Sequence, residues 1–427
     1  MRLQIDQIEI SDLKIGSKTH VSDHVLWVDF DELREIILQD DRIKAVELNI
    51  VHPGERVRIV NVADVIQPRC KIGRDNEDFP GWLGKIATAG RGRTRSLRGI
   101  SIVLSNRHSK RAYSAIVDMF GIGGELSTYG SLKNISIAPT PSENAEERDF
   151  ESAVKIAGLK TAVYLAQAAE GHSIDATEVY ELNTPGLKKS NLPKVAYYYQ
   201  LYTPQHDYQG ISDPILYGTE VTNIFPTLIH PNEVLDGAVV NAQTVRGMET
   251  YSIQNHPVIK GLYKRHGKEL DFVGVVIGVA SMEPVQRKRM AMMAANLISN
   301  TLGADGVILT KVHGGMARVD LSLVAEACEI IGIKTTLLVN LGHSGISLAE
   351  GALFNSEYLN AIANVGQTLE KVRLPRADKI LGGTDDTVIF NPDFVQRACN
   401  DTIEIEGFLL AGLYNYLGGA KVIAVDY

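Results

Sequence analysis

Two histidines in this 427-residue chain stand where the ends of strands would meet a ligand. The apolar run 306-GVILTKV-312 leads straight into 313-HGGMARVD-320, and 334-KTTLLVNL-341 leads into 342-GHSG-345. Open α/β sheets bind ligands at the carboxyl ends of their strands. His313 and His343 are therefore expected at equivalent ends of two strands joined by one helix, as neighbours. The flanking Gly314 and Gly315 let backbone or ligand approach closely, and Ser344 adds a hydroxyl on the same edge. Asp320, near the start of the intervening helix, could cap that helix or orient a histidine. The chemistry implied is a general acid/base pair, or two ligands of a divalent metal such as zinc. The bland alternative is a pair of loop histidines that bond locally. No dense ligand motif such as HExxH is present to decide between them.

A second candidate is cationic. Arg91, Arg93, Arg95 and Arg98 fall within 90-GRGRTRSLRG-99, and Arg91 and Arg93 could hold a substrate carboxylate or phosphate through bidentate contacts. A solvated loop, or ion pairs to an acidic subunit, reads the same residues without a substrate. Tyr197, Tyr198 and Tyr199 are expected to alternate faces of a strand, and the run 290-MAMMAA-295 to belong to a helix core. The stretch 384-TDDT-387 reads as a turn rather than a cation site.

These residues need elements to position them. Through residue 146 the chain reads as a β-rich domain, with alternating or β-branched runs at 3–10, 55–62, 100–105 and 134–138. A helix is expected at 30–39, capped by Asp29. Residues 147–192 read as a helix, over about 147–171, followed by a linker. From 193 to 427, apolar strands alternate with helical stretches, which implies an α/β domain with a mostly parallel, doubly wound sheet. No glycine-rich dinucleotide fingerprint follows a strand, since 121-GIGG-124 has the wrong spacing.

Composition narrows the classes. Hydrophobic residues are 44% and charged residues 22%, as in ordinary globular proteins. A net charge of -8 argues against a nucleic-acid binder. No apolar run approaches the roughly 20 residues needed to span a bilayer, and the opening MRLQIDQIEI is no export signal. Cys70, Cys328 and Cys399 form no CxxC pair, so a reducing, cytoplasmic setting is expected.

Long phrases in order then resemble one family. They include 53-PGERVRIVNVADVIQPR-69, 79-FPGWLGKIATAGRGRTRSLRG-99, 192-LPKVAYYYQL-201, 226-PTLIHPNEVLDGAVV-240 and 254-QNHPVIKGLYKRHGKELDFVGVVI-277. Together the matching phrases cover about 300 residues and resemble the proprotein subunit of glycine/sarcosine/betaine reductase component B.

The resemblance implies an enzyme subunit acting at a C–N bond of a small amine, amino acid or N-substituted derivative. It also implies a hetero-oligomer with a second subunit like the component B selenoprotein. In that family an Asn-Cys bond is cut and the cysteine becomes a pyruvoyl group, which captures the substrate amine. The matching stretch here is 236-DGAVVNAQTVRG-247, with Gln243 at the asparagine position and Thr244 at the cysteine position. A hydroxyl is a weaker nucleophile and poorer leaving group than a thiolate, so no pyruvoyl group is expected. Gln243 and Thr244 then become substrate-site candidates. A redox-neutral hydrolase or lyase using His313 and His343, and a silent subunit that positions its partner, are the alternatives.

Overall fold

The computed structural model describes residues 1–73, 77–108, 115–182, 191–202, 214–222, 224–241, 247–281, 283–311, 316–339, 356–359, 361–365, 371–383 and 401–418. Two sheets dominate the first part. In one, Arg2–Glu9 runs parallel to Gly92–Arg98, and the outer strands Ala176–Glu181 and Arg69–Ile72 are antiparallel to their neighbours. In the other, the order is Ala115–Asp118, Val57–Ile66, Ile100–Ser105, Lys133–Pro141 and Ile43–Val51.

The helix Glu147–Gln167 packs on these sheets through Phe150, Ala153, Val154, Ala157 and Leu159, all buried. Gly158 makes the approach possible, since a Cβ there would sit 2.9 Å from Ile66 Cδ1 and closer still to Leu104. The shorter helix Phe30–Leu38 starts at Asp29, whose carboxylate accepts the backbone N–H groups of Asp31 and Glu32. Burying Leu33 and Ile37, one turn apart, gives this helix its inward stripe.

The second part is built on a six-stranded sheet ordered Thr227–Ile229, Asp271–Val279, Lys194–Tyr202, Gly306–Thr310, Lys334–Val339 and Ile362–Asn364. Only Thr227–Ile229 is antiparallel to its neighbour. The central strands Asp271–Val279, Lys194–Tyr202 and Gly306–Thr310 are mostly apolar because both of their faces are covered. Tyr197 and Tyr199 enter one cluster with Ile253, Ile259 and Leu262 from short helices. Tyr198 enters the opposite cluster, against Ala291 and Ala294 of the helix Pro284–Asn296 and Leu321 and Val324 of the helix Met316–Ile330. Of the methionines in 290–295, Met290 is buried and Met292 is 58% exposed.

Residues 371–381 and 403–413, which the linear reading groups with the 193–427 unit, pack on the first part. Lys379–Leu381 extends the first part's second sheet by pairing parallel to Val57–Ile59. Lys371–Leu374 pairs with Ile403–Glu406, and both join a cluster with Val60 and Ile116. Likewise Ala176–Glu181, read as linker, is an edge strand of the first sheet, paired with Arg2–Gln7. Strand pairing of this kind is long-range and leaves no local periodicity to read. No helix among the described residues is long and apolar enough to cross a membrane.

Candidate functional site

The second sheet fixes where a ligand would meet the chain. From Lys194–Tyr202 the next parallel strand, Asp271–Val279, lies on one side, and all later ones lie on the other, beginning with Gly306–Thr310. The strand order reverses there, and crevices at the carboxyl ends of parallel strands open at such a reversal. The residues at this edge are Tyr199 and Thr310, cross-strand partners, then Lys311.

Three features make the edge chemically unusual. Tyr197 Oη lies 2.5 Å from Thr310 Oγ1 and 3.2 Å from His256 Nε2, so hydroxyl, phenol and imidazole form a chain. His256 is fully buried, and its burial holds the imidazole neutral, its pKa down at about 3. Tyr199 stacks on Tyr197 with ring centroids 5.7 Å apart, and its hydroxyl is buried with no hydrogen-bond partner among the described residues. Lys311 is 1% exposed and carries its ammonium over the Tyr416 ring, 5.1 Å from the centroid. Tyr416 in turn donates its N–H to the Gly247 carbonyl at 2.9 Å. Gly247 has φ +73°, and a side chain there would run into the Tyr416 ring. The strand edge and the downstream stem of 242–246 therefore meet at Tyr416.

Several candidates named from the sequence, His313, Gly314, Gly315, His343, Ser344, Gln243 and Thr244, lie outside the described residues. The strands that precede the two histidines, Gly306–Thr310 and Lys334–Val339, are parallel, hydrogen-bonded neighbours. The stretch 384–387 and Cys399 also lie outside the described residues.

Asp320 does not cap its helix, which begins at Met316 and places it in the second turn. Its carboxylate instead accepts the N–H of Ser281, two residues past strand Asp271–Val279, and lies 3.2 Å from Arg287 Nε. Burial pushes its carboxyl up to about 6, against the opposing pull of the Ser281 amide and Arg287. Among the described residues, no three His, Cys, Asp or Glu side chains gather as a metal site would require.

The arginine cluster becomes a strand, Gly92–Arg98, and two of its four arginines are already paired with carboxylates. Arg93 grips the buried Asp6 through Nε at 3.0 Å and Nη2 at 2.6 Å. Arg98 reaches Glu9 at 3.1 Å, and Arg95 donates to the Ala166 carbonyl at 3.4 Å. Arg91 is exposed, and its carbonyl accepts a hydrogen bond from Lys71. A carboxylate substrate at Arg93 would have to displace Asp6.

Cys70 and Cys328 are free and buried, and burial raises their thiol pKa values to about 11 and about 12. Both stay protonated near neutrality and are poor nucleophiles.

Sequence reasoning did not single out Lys311, His256 or Tyr416. Lys311 had a visible signal, as the one charge inside the apolar run 306–312. His256 and Tyr416 had none, because their roles come from contacts with strands distant in the chain.

The family described as glycine/sarcosine/betaine reductase component B subunits matches residues 1–422. The chain is 34% identical over 439 aligned positions to the glycine reductase complex component B subunits alpha and beta of Acetoanaerobium sticklandii, with all of both chains covered. It is 33% identical over 393 positions to the sarcosine reductase complex component B subunit alpha of Peptoclostridium acidaminophilum, covering 90% of each chain. The betaine reductase complex component B subunit alpha of that organism is 31% identical over 393 positions, covering 90% of this chain and 88% of the relative. No solved structure matches the chain.

Proposed function

Since the chain belongs to the family of glycine/sarcosine/betaine reductase component B subunits, we propose that it is a reductase-complex subunit acting at the C–N bond of a small amine or amino acid without a self-generated pyruvoyl group. The observation that carries the second half is the cysteine inventory. Only Cys70, Cys328 and Cys399 occur, and none falls within 236–247. The residues do not fit a pyruvoyl precursor. Cleavage before Thr244 followed by elimination would leave a four-carbon keto-acyl group, one methyl larger than pyruvoyl.

In this reading the substrate sits at the reversal point of the second sheet, beside the strand ends, with Gln243 and Thr244 as sequence-level candidates for contacting it. The buried Lys311 ammonium supplies a counter-charge for a substrate carboxylate. His313 and His343 hold and deliver the proton needed by the departing nitrogen, and Asp320 acts from the neighbouring helix. Electrons come from a thiol or selenol on a second subunit. As the C–N bond breaks, the nitrogen leaves with the bonding pair and the carbon passes to that nucleophile. The names of the relatives support glycine, sarcosine and betaine as the first substrates to examine.

The test pairs an intact-mass measurement with turnover. The purified chain is expected as a single 46.7 kDa species that turns over one of the three substrates, given dithiol and the partner. Two fragments, the second beginning at a keto-acylated residue 244, would refute the unprocessed state. Absence of turnover with an active partner would overturn the reductase assignment.

A further inference from the structure

The helix Glu147–Gln167 presents two different faces. Phe150, Ala153, Val154 and Ala157 pack on the sheets, whereas Arg148, Glu151, Ser152 and Lys155 line a cavity of about 170 Å³. Spacings of three, four and seven residues put those four side chains on one stripe. Trp82 and Glu220 wall the cavity from other parts of the chain. Arg148 and Glu220 form an ion pair with side chains 33% and 45% exposed, so they mark the mouth. Asp149 also lines the cavity and is exposed. Glu151 and Lys155 lie deep, 4% and 3% exposed.

Charged side chains are seldom buried to this degree, and here both signs line one cavity. The Lys155 ammonium stands over the Trp82 ring, 5.7 Å from its centroid. The indole Nε1 of Trp82 is buried and has no hydrogen-bond partner among the described residues, although buried donors are as a rule paired. Lys155 also attracts the carboxyl of Asp64, but burial outweighs that attraction and leaves the Asp64 pKa raised. An ammonium and an indole N–H are donors suited to a carboxylate, and the Glu151 carboxylate is an acceptor suited to an ammonium. A ligand of one sign would meet either Lys155 or Glu151 as a like charge. Size agrees as well. A cavity of about 150 Å³ holds benzene, so a ligand of roughly five to eight heavy atoms fits here.

We propose that this cavity binds a small zwitterionic amino acid, with its carboxylate on Lys155 and Trp82 Nε1 and its ammonium on Glu151. None of the lining residues belongs to the second sheet, so the site is separate from the strand-end edge and goes beyond the function proposed above.

Trp27 and Trp82 are the two tryptophans of the chain, so in a full-length Trp27→Phe background the emission reports Trp82 alone. Glycine is the probe, with acetate and methylammonium as its two halves. Glycine should shift the emission saturably, and each half should need at least about tenfold higher concentration, the worth of one charge-assisted contact. Lys155→Met and the isosteric Glu151→Gln should each weaken the glycine response by about tenfold or more, with melting curves confirming that the variants fold. Should Lys155→Met fail to fold, Glu151→Gln decides alone. Lys311→Met, at the strand-end edge, should leave the titration unchanged. No saturable response to glycine at tens of millimolar overturns the site. Acetate binding as tightly as glycine overturns the zwitterion, and an unchanged glycine titration in Glu151→Gln does the same. Loss of the response in Lys311→Met would mean that Trp82 senses the strand-end edge, and overturns a separate site. The titration needs neither partner nor turnover, so its failure leaves the reductase reading standing.

Discussion

Among the described residues, two arginine–aspartate pairs lie largely out of solvent, and they meet with different geometry. Arg58 and Asp118 are both fully buried and meet as a fork, Nε to Oδ1 at 2.6 Å and Nη2 to Oδ2 at 3.0 Å. Two further guanidinium hydrogens go to the carbonyls of Pro375 at 2.7 Å and Asp401 at 3.3 Å. Arg287 Nε lies 3.2 Å from Asp320 Oδ1 and donates to the Ser281 carbonyl at 2.6 Å, Asp320 Oδ1 has no aligned hydrogen-bond donor among the described residues, and the two side chains are 11% and 7% exposed. The first pair joins the returning C-terminal strands to the first part of the molecule. The second lies beside the strand ends of the second sheet, with a carboxyl near its titration point. Burial raises both carboxyl pKa values, and at Asp118 the Arg58 fork opposes that rise through two hydrogen bonds, whereas at Asp320 the opposing groups are the Ser281 amide and Arg287.

The largest effect expected from breaking this comparison is at Arg58. Arg58→Ala leaves Asp118 as an uncompensated buried carboxylate and frees two backbone carbonyls, so it should cost about 3–5 kcal/mol. Urea unfolding at neutral pH measures it. The double variant Arg58→Met/Asp118→Leu should recover most of the loss, because removing both charges removes the desolvation penalty too. If the single variant costs under about 1 kcal/mol, this pair is no lock.

Asp320 should give a smaller, pH-dependent effect of opposite sense. Its carboxyl is raised from 3.8 to about 6, so the folded form binds the proton more tightly than the unfolded chain does. Ionisation therefore opposes folding. The contribution is full below about pH 4 and is lost as pH rises to about 6. Relative to Asp320→Asn, the wild-type chain should lose about 3 kcal/mol at most across that window, roughly two pH units at about 1.4 kcal/mol each. Unfolding curves at pH 4, 5, 6 and 7 measure it, and parallel profiles for the two proteins would mean that the proton is not shared.

What could be read from the sequence follows the range of the interaction. The helix Phe30–Leu38 and its Asp29 cap are local, and their spacing shows them. The alternation of Tyr197, Tyr198 and Tyr199 between opposite clusters follows from the period of two in a strand. The partnership of Arg58 with Asp118, sixty positions on, leaves no such trace, nor does the pairing of Lys379–Leu381 with Val57–Ile59. At the candidate site, the adjacency of the strands before His313 and His343 was legible because one helix joins them. The engagement of Arg93 by Asp6 was not, because a buried aspartate on the parallel strand Arg2–Glu9 looks like any other polar residue in sequence.

The smallest effect belongs to a third aspartate, and it tests whether burial sets the scale. Asp29 uses one carboxylate oxygen to accept the N–H groups of Asp31 at 2.9 Å and Glu32 at 3.1 Å. Its partners are backbone amides at a solvent-exposed helix start, so water can replace the carboxylate when it is removed. Asp29→Ala should therefore cost about 1 kcal/mol, and Asp29→Asn, which keeps an acceptor, only a few tenths. Thermal melts of the two variants beside Arg58→Ala make the measurement. A cap loss as large as the Arg58 loss would mean that bond count, rather than removal from water, decides these energies, and the contrast between the two buried pairs would then need a different cause.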